Sequence, residues 1–339
     1  MVRNVRAEPL GRNGQAGWIC DRSRTCPNLR AAFDRRPQPH HNQRVNRPRL
    51  FDTRLTTLRR RRALRHPVNG ADFLLRHATV ELTERLGAVQ REFATGADIG
   101  SPTPLLAQEL AGTGLVGTVW RLDEAPEARP DVVASPEALP IAPGSLDMAV
   151  SVLALHAVND LPGTLVQIRG ALKPDGLFAA TLAGGDTLIE LREALMAAEA
   201  ETTGGAAARV APMADLRDHG ALLQRAGFAL PVADRETLTV RYGSVAALMH
   251  DLRAMGATNV LADRSGPLTR TVLARCEEIY AKRFSDTDGR LRATFELHHL
   301  SGWAPDASQQ KPLKPGSAAA RLADALGTAE RPAGDKAGR

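Results

Sequence analysis

Hydrophobic and polar positions alternate along the chain with two different periods. In the central part, short apolar runs suited to β-strands alternate with stretches in which apolar residues recur every three or four positions, as on one helix face. The expected strands and helices, in chain order, are 93–99, 105–110 (helix), 117–122, 131–134, 146–153, 161–172 (helix) and 177–182. This alternation predicts parallel βαβ units and an open, doubly wound α/β sheet.

The pattern becomes richer in helical periods after residue 184. The elements expected there are helices at 188–201, 214–226, 245–255 and 268–284, and strands at 227–240 and 293–300. Two more helices are expected before the first strand: one that carries Leu55, Leu58 and Leu64 beside a run of four arginines, and one at 71–89. Ligands of a doubly wound sheet bind at the carboxyl ends of its strands, so candidate site residues are sought there.

The pattern divides the chain into four parts. Residues 1–49 are expected to be a disordered basic extension, 50–92 a helical segment, 93–303 the α/β domain, and 304–339 a tail with one short amphipathic piece at 318–326. The Arg-rich, acid-poor beginning also resembles a mitochondrial transit peptide, although no clear amphipathic helix is present. A misplaced start codon explains it equally well.

Charge is distributed unevenly between these parts. Residues 1–66 hold 17 Arg and four acids, a net charge of +13, so the remainder of a chain with a net +6 carries −7. A nucleic-acid footprint should lie on the folded domain, which is mildly acidic here, so no nucleic-acid partner is expected. No apolar run reaches the roughly 18 residues of a membrane span, and no integral membrane segment is expected.

The first expected strand ends at a candidate nucleotide site. It closes with Asp98 and Gly100, and a helix begins a few residues later, as in nucleotide-binding βα turns. Asp123 follows 23 residues after Gly100, at the end of the second strand. This is about the spacing at which an acid accepts hydrogen bonds from ribose hydroxyls. Acids at strand ends are also common without a ligand.

Several motifs resemble those of class I S-adenosylmethionine-dependent methyltransferases. The shared ones are Asp98-Ile99-Gly100, Asp123, Leu139-Pro140, Leu146-Asp147, His156, Asn159-Asp160-Leu161 and Leu172-Lys173-Pro174-Asp175-Gly176. A second set is similar to the complex I assembly factor 5 (arginine-hydroxylase) family and its bacterial relatives: Gly184-Gly185-Asp186-Thr187-Leu188, Glu190-Leu191-Arg192, Arg225-Ala226-Gly227-Phe228, Asp251-Leu252-Arg253, Met255-Gly256, Asn259, Ala293-Thr294-Phe295-Glu296 and Gly302-Trp303.

The resemblance implies a seven-stranded, mostly parallel sheet and S-adenosylmethionine as cofactor. The cofactor-binding residues it indicates are Asp98, Gly100 and Asp123, with Glu137 as the acid nearest the expected adenine position. After Gly100, however, the chain reads Ser101-Pro102-Thr103-Pro104 where relatives have further glycine. Added side chains narrow such a loop, and proline removes backbone donors. Weak or lost cofactor binding is therefore expected.

Two residues are candidates for catalysis. His156 follows the fourth strand, where an imidazole can accept a proton, and Asp186 lies in the Gly-rich turn after the fifth strand. The alternatives are simple packing for His156 and helix capping for Asp186. Asn159 and Asp160 are expected to cap the helix that starts near Leu161.

No metal site is expected, because the pair His298 and His299 alternates between the faces of a strand. Three hypotheses remain: a methyltransferase, an arginine hydroxylase of the assembly factor 5 type, and an assembly scaffold without cofactor. The resemblance implies a subunit of the complex I peripheral arm as protein partner. The expected location is the cytoplasm for a bacterial protein, or the mitochondrial matrix for a eukaryotic one.

Overall fold

A computed structural model describes residues 49–264, 266–310 and 321–329. Almost all of the predicted basic extension, and the first residues of the predicted amphipathic piece at 318–326, lie outside this range. The chain divides into two compact units, Met1–Pro305 and Asp306–Arg339. The described residues of the second unit include one short helix, Leu322–Ala325.

Seven strands in the described residues form a single sheet in the order β3-β2-β1-β4-β5-β7-β6. Their bounds are β1 Phe93–Ile99, β2 Val116–Asp123, β3 Val132–Val133, β4 Leu146–Val152, β5 Leu172–Ala183, β6 Ala229–Tyr242 and β7 Leu291–Trp303. Strands β1 to β5 pair in parallel, and β7 pairs antiparallel with both β5 and β6. The predicted seven-stranded, mostly parallel, doubly wound α/β fold is confirmed, and it is that of class I methyltransferases.

The described part of the chain contains nine α-helices. They are α1 Thr53–Arg65, α2 Phe73–Gly87, α3 Leu105–Thr113, α4 Leu161–Ala171, α5 Ile189–Thr203, α6 Leu216–Arg225, α7 Val245–Ala254, α8 Arg270–Phe284 and α9 Leu322–Ala325. None of the described helices is long and apolar enough to cross a membrane.

The two faces of the sheet are buried separately. On one face, Ile99 and Phe178 pack with Leu165 of α4 and Leu223 of α6. On the other, the buried side chains of α2 and α3 cover Phe93, Met148 and Val150. A third cluster joins α5, α7 and α8 to β6 and β7. Apolar side chains therefore cover both faces, as a parallel sheet requires, and the carboxyl ends of β1, β2 and β4 form a polar edge.

Helix α1 lies at this edge without a buried residue of its own. Asp52 caps it, with Oδ1 accepting a hydrogen bond of 2.9 Å from the amide of Leu55. Before the cap, Phe51 is buried and forms a β-bridge with Leu261. Because α1 has almost no apolar contact surface, its position depends on polar contacts and on these flanking residues.

Candidate active site

A cavity of about 730 Å³ opens at the carboxyl ends of β1 and β4. These strands are neighbours in the sheet. After β1 the chain continues to β2 on one side, and after β4 it continues to β5 on the other side. The cavity therefore lies at the topological switch point, where such folds bind ligands. Gly100, Glu137 and His156 line one part of it. Three of the six predicted site residues therefore share one cavity.

Gly100 makes the tight turn that ends β1. Its φ angle is +76°, a left-handed conformation that residues with a side chain rarely adopt. Its amide donates a 2.7 Å hydrogen bond to the carbonyl of Leu122, which holds the turn against β2. A Cβ at Gly100 would lie 3.2 Å from Cβ of Ala154 and 3.3 Å from Pro136. The turn thus keeps backbone, rather than a side chain, at the wall of the cavity.

The loop after Gly100 is held from inside the protein by Arg121. The Ser101 side chain is buried, and its Oγ accepts a 3.0 Å hydrogen bond from the amide of Val152. The Ser101 carbonyl accepts a 3.1 Å hydrogen bond from Nη2 of Arg121. Pro102, by contrast, lines the cavity. The Ser101 hydroxyl therefore packs against β4, whereas Pro102 forms part of the cavity wall.

Asp98 lies beneath this loop and not in the cavity wall. Its carboxylate is buried, and Oδ2 lies 3.3 Å from Nε of Arg121. Burial raises the pKa of Asp98 to about 6, although the nearby Ser101 hydroxyl and Arg121 guanidinium oppose that rise. The structure thus gives Asp98 a contact that supports the loop, and its predicted contact with cofactor stays a prediction.

Arg121 was missed by sequence reasoning. It stands opposite Asp98 in the β1–β2 register and is only 5% exposed. Its guanidinium also donates to the carbonyls of Ala128 and Arg129. One signal was present in the sequence, because an arginine in the otherwise apolar end of a buried strand needs buried acceptors.

The predicted ribose acceptor, Asp123, is bound by an arginine of α1. Its side chain is fully buried, and Oδ1 accepts a 2.6 Å hydrogen bond from the amide of Ala125. Oδ2 lies 2.5 Å from Nη2 of Arg60, and the same nitrogen donates 3.1 Å to the carbonyl of Gly100. Arg60 therefore links two predicted cofactor-binding residues. It also occupies the carboxylate oxygen that would accept a hydrogen bond from a ribose hydroxyl.

Glu137 is engaged by the backbone of the β4–α4 connection. Its Oε1 accepts a 2.5 Å hydrogen bond from the amide of Asn159. The Asn159 side chain accepts from the amide of Phe51 at 2.8 Å and donates to the carbonyl of Phe51 at 3.2 Å. Asp160 caps α4 as predicted, with Oδ1 2.9 Å from the amide of Gly163. The prediction for Asn159 was wrong, since it fixes the segment before α1 beside the cavity.

His156 lies in a short 3₁₀ turn, Leu155–Ala157, and lines the cavity. Among the described residues no group forms a hydrogen bond with its Nδ1. Burial lowers the pKa of His156 to about 4, with the charges of His219 and Arg60 acting in the same direction. The ring is therefore neutral at pH 7 and has a nitrogen that can accept a proton.

The neutral state of His156 predicts a loss of stability at low pH. An unfolded histidine takes up a proton near pH 6.5, whereas His156 in the folded protein does so only near pH 4. Stabilisation is therefore complete above about pH 6.5 and decreases as the pH falls towards 4. For one such histidine the free energy of unfolding should fall by about 2 kcal/mol between pH 7 and pH 5.

Urea unfolding of the wild type and of His156→Asn at the two pH values checks this. Asp98, whose pKa is raised, changes the free energy of unfolding with pH in the direction opposite to His156, and it does so in both proteins. His219, with a pKa lowered to about 4 by burial and by His298, contributes in the same sense in both. The loss should therefore be smaller in His156→Asn by about 2 kcal/mol. Equal losses in the two proteins would show that His156 is protonated alike in the folded and unfolded states.

The Gly-rich turn after β5 is fixed to β7. The amide of Gly184 donates to the carbonyl of Glu296 at 2.8 Å, and Oγ1 of Thr187 donates to the same carbonyl at 3.0 Å. Glu190 is buried and accepts hydrogen bonds from the amide and hydroxyl of Thr294 at 3.0 and 2.5 Å. Asp186 is exposed and does not line the cavity. Its predicted catalytic role stays a prediction without a contact that supports it.

Gly184 has no room for a side chain. A Cβ there would lie 2.3 Å from Nε2 of His298 and 2.5 Å from Oε1 of Glu296, both buried. We expect Gly184→Ala to reduce the free energy of unfolding by about 2 to 3 kcal/mol, because the buried partners must move. Gly185→Ala is the matched control, since its nearest neighbour would be 3.8 Å away. Urea unfolding that gives equal losses for both variants would contradict the close packing at Gly184.

Histidines cluster on both faces of β7. His298 contacts Nδ1 of His219 at 2.8 Å, whereas His299 on the opposite face contacts Glu236 at 3.2 Å. Among the described residues, one group of three potential metal ligands lies close together, formed by His77, Glu81 and Glu236. The 2.7 Å contact between Nε2 of His77 and Oε1 of Glu236 is itself a hydrogen bond that accounts for their proximity.

The other part of the cavity is apolar and has a basic margin. Its wall consists of side chains from α5, α7, α8 and the loops between them: Leu188, Leu191, Leu195, Met213, Met249, Leu252, Leu268 and Leu273. Arg59 and Arg253 also line it. The cavity therefore joins a polar region at the strand ends to an apolar region that can enclose a second molecule or a substrate side chain.

The chain is similar to several known proteins. A family model described as a methyltransferase domain matches residues 97–180. The rat protein named arginine-hydroxylase NDUFAF5, mitochondrial, is 34% identical over 286 residues, which are 81% of this chain and 83% of that protein. The malonyl-[acyl-carrier protein] O-methyltransferase of Gallionella capsiferriformans is 41% identical over 175 residues, 51% of this chain and 58% of that protein.

The chain is also similar to solved structures. The YcgJ protein from Bacillus subtilis has a TM-score of 0.45 at 14% sequence identity, and the match covers 67% of this chain and 99% of that one. The similarity to the rat protein extends over a larger share of the chain than either the family model or this structure.

Proposed function

The chain belongs to the family of the arginine-hydroxylase NDUFAF5, and on that premise we propose that it modifies a protein side chain during assembly of respiratory complex I. One observation carries the proposal. The cavity runs without interruption from Gly100, Glu137 and His156 to the apolar wall of α5, α7 and α8. In a doubly wound fold this is where a nucleotide at the strand ends lies next to a substrate. Methyl transfer is the reaction proposed first, with a peripheral-arm subunit as substrate.

The residues present fit the nucleoside part of S-adenosylmethionine in shape. The volume is in the usual range for small-molecule sites, and the backbone of Gly100 forms the wall beside Ser135, Pro136 and Glu137. Asp123 would accept hydrogen bonds from the ribose hydroxyls after Arg60 has released it. When bound, the cofactor supplies an activated methyl group. The need to displace Arg60 supports the expectation of weak binding.

His156 is the residue that we propose takes up a proton. It lines the cavity and is neutral at pH 7, so it can accept a proton from the side chain being modified. The pKa near 4 makes it a weak base, so its role would be to receive the proton as methyl transfer proceeds. Alignment of the reacting groups by the cavity walls would provide most of the catalysis.

Arginine hydroxylation is the second candidate, and it is the activity in the name of the rat relative. The bond between Arg60 and Asp123 occupies the ribose acceptor, which counts against methyl transfer because that reaction requires the bound cofactor. An assembly scaffold without cofactor, the third hypothesis, is favoured by the same contact. The three hypotheses predict different covalent modifications of the partner protein: a methyl group, an oxygen atom or none.

Mass spectrometry of the complex I subunits tests these functions. Cells that carry the wild-type gene, a deletion, His156→Asn or Arg62→Gln would be compared, because Arg62 is exposed and outside the cavity. Methyl transfer predicts one added methyl group on a peripheral-arm subunit, present with Arg62→Gln and lost with the deletion and with His156→Asn. One added oxygen would support hydroxylation instead. Identical masses in all four strains, with assembly impaired by deletion alone, would contradict both enzymatic proposals.

The cellular location is proposed from the same family. The rat relative is named as mitochondrial, which supports the mitochondrial matrix for a eukaryotic source of this chain. For a bacterial source, the proposed compartment is the cytoplasm.

A further inference from the structure

The four side chains of Arg59–Arg62 on α1 lie in three different environments. Arg60 pairs with Asp123, and Arg61 pairs with Glu127 at 2.9 Å. Arg62 is exposed. Arg59 is half-buried at the cavity, where its guanidinium donates to the Thr258 hydroxyl. Within the described residues no carboxylate forms an ion pair with Arg59.

Two other arginines, Arg253 and Arg264, act electrostatically on Arg59 at the margin of the cavity. Arg253, in the last turn of α7, lines the same cavity, and no ion pair of Arg253 occurs in the described part of the chain. Burial, then the charges of Arg264 and Arg253, lower the pKa of the Arg59 guanidinium below its usual value. Arg59 and Arg253 line the same cavity without an ion pair among the described residues, so their charges favour an anion in the space that they share.

A second recess of about 380 Å³ adjoins this margin. It is lined by Arg59, Arg209, Arg264 and Asn259, so Arg59 and Arg209 belong to both spaces. Arg209 is paired with Glu199 at 2.6 Å and Arg264 with Asp52 at 3.2 Å. The two acids thus neutralise Arg209 and Arg264, and the positive charge that remains is that of Arg59 and Arg253.

The basic margin lies beside the apolar wall. Leu252 is in the same helix as Arg253, and with Leu191, Leu195 and Leu273 it lines the cavity. The acids in the lining, Glu124 and Glu137, have hydrogen bonds of their own, to the Thr57 hydroxyl and the Asn159 amide respectively. These four leucines form a leucine wall within the apolar wall. A ligand that extends along the leucine wall would therefore meet guanidinium groups at the margin.

We infer that this part of the cavity binds an amphiphilic molecule whose anionic head, a carboxylate or a phosphate, lies between Arg59 and Arg253 and whose apolar chain lies along the leucine wall. Guanidinium groups form paired hydrogen bonds with both anions. The apolar chain gains affinity from burial against the leucine side chains. The ligand would share the apolar wall with the proposed substrate, but its binding requires no turnover, so it can be tested separately from the proposed function.

Calorimetric titration with four probes tests the site: decanoate, decyl phosphate, the neutral decanol and the cationic decyltrimethylammonium. The proteins are the wild type, Arg59→Gln, Arg253→Gln and Arg62→Gln, the last being the matched control on the same helix. We expect decanoate or decyl phosphate to bind at least about tenfold more tightly than decanol, and the better of the two indicates the natural head group. The cation should bind least.

The variants decide whether the two arginines form the site. Arg59→Gln and Arg253→Gln should each weaken anion binding about tenfold and leave decanol binding unchanged, and Arg62→Gln should change neither. Equal affinity for decanol and decanoate, no binding of any probe, or an equal effect of Arg62→Gln would each overturn the inference. These results are independent of the masses of complex I subunits, so the proposed function can stand or fail separately.

Discussion

Arg60→Gln should bind S-adenosylhomocysteine about tenfold more tightly than the wild type, although the variant is less stable. In the wild type the Arg60 guanidinium holds Asp123 and the Gly100 carbonyl, so a nucleoside must first displace it. For a ligand that binds only one of two states, the apparent affinity is the intrinsic affinity multiplied by the fraction of the protein in that state. Removing the guanidinium removes that competition.

The same substitution leaves the buried Asp123 carboxylate without its ionic partner. Loss of one member of a buried pair costs about 3 kcal/mol, which for a chain of this size lowers Tm by roughly 6 to 12 °C. Thermal unfolding with and without S-adenosylhomocysteine measures both effects, and the ligand should raise Tm more in Arg60→Gln than in the wild type. Arg62→Gln, exposed on the same helix, should behave as the wild type. Weaker or unchanged nucleoside binding by Arg60→Gln would show that Arg60 helps to bind the ligand.

Arg121→Met should reduce the free energy of unfolding by about 3 to 5 kcal/mol. The substitution keeps most of the apolar volume but removes the donors to Asp98 and to the carbonyls of Ser101, Ala128 and Arg129. The buried Asp98 carboxylate would then be unpaired. Chemical denaturation in urea measures the loss.

Two further proteins give this prediction its controls. Arg85→Met breaks an ion pair with Asp234 in which both side chains are substantially exposed, and it should cost less than about 1 kcal/mol. The double variant Asp98→Leu with Arg121→Met leaves no unpaired charge and should recover about half of the loss. If Arg121→Met is no more destabilised than Arg85→Met, Arg121 does not support the loop as described.

Sequence pattern located the strands well where burial is continuous. The first strand was predicted at 93–99 and occurs at Phe93–Ile99, and the fourth was predicted to within one residue. Residues 173–176, which separate the helix expected at 161–172 from the strand expected at 177–182, lie within β5, Leu172–Ala183. Asp175 has a φ of 60°, and pairing continues past it through bonds from Asp175 to Ala304 and from Ala304 to Gly176. Turn residues alone do not show that pairing resumes on both sides.

The candidate site was predictable only as far as strand ends allow. Gly100 and Asp123 follow from the βα turn and from the spacing to the second strand. The contact of Arg60 with Asp123 joins residues 63 positions apart through a helix without buried residues, so no local period indicates it. Asn159 is a residue type that commonly caps helices, and only the tertiary structure shows that its side chain binds the backbone of Phe51.

A crystal structure of the wild-type protein grown with millimolar S-adenosylhomocysteine would test the central claim, that the cavity is a nucleoside site closed by Arg60. The predicted result is a nucleoside against Gly100 with its ribose hydroxyls on Asp123 and the Arg60 side chain moved away from that carboxylate. A nucleoside bound with the Arg60–Asp123 pair intact, or a cavity without nucleoside at that concentration, would contradict it.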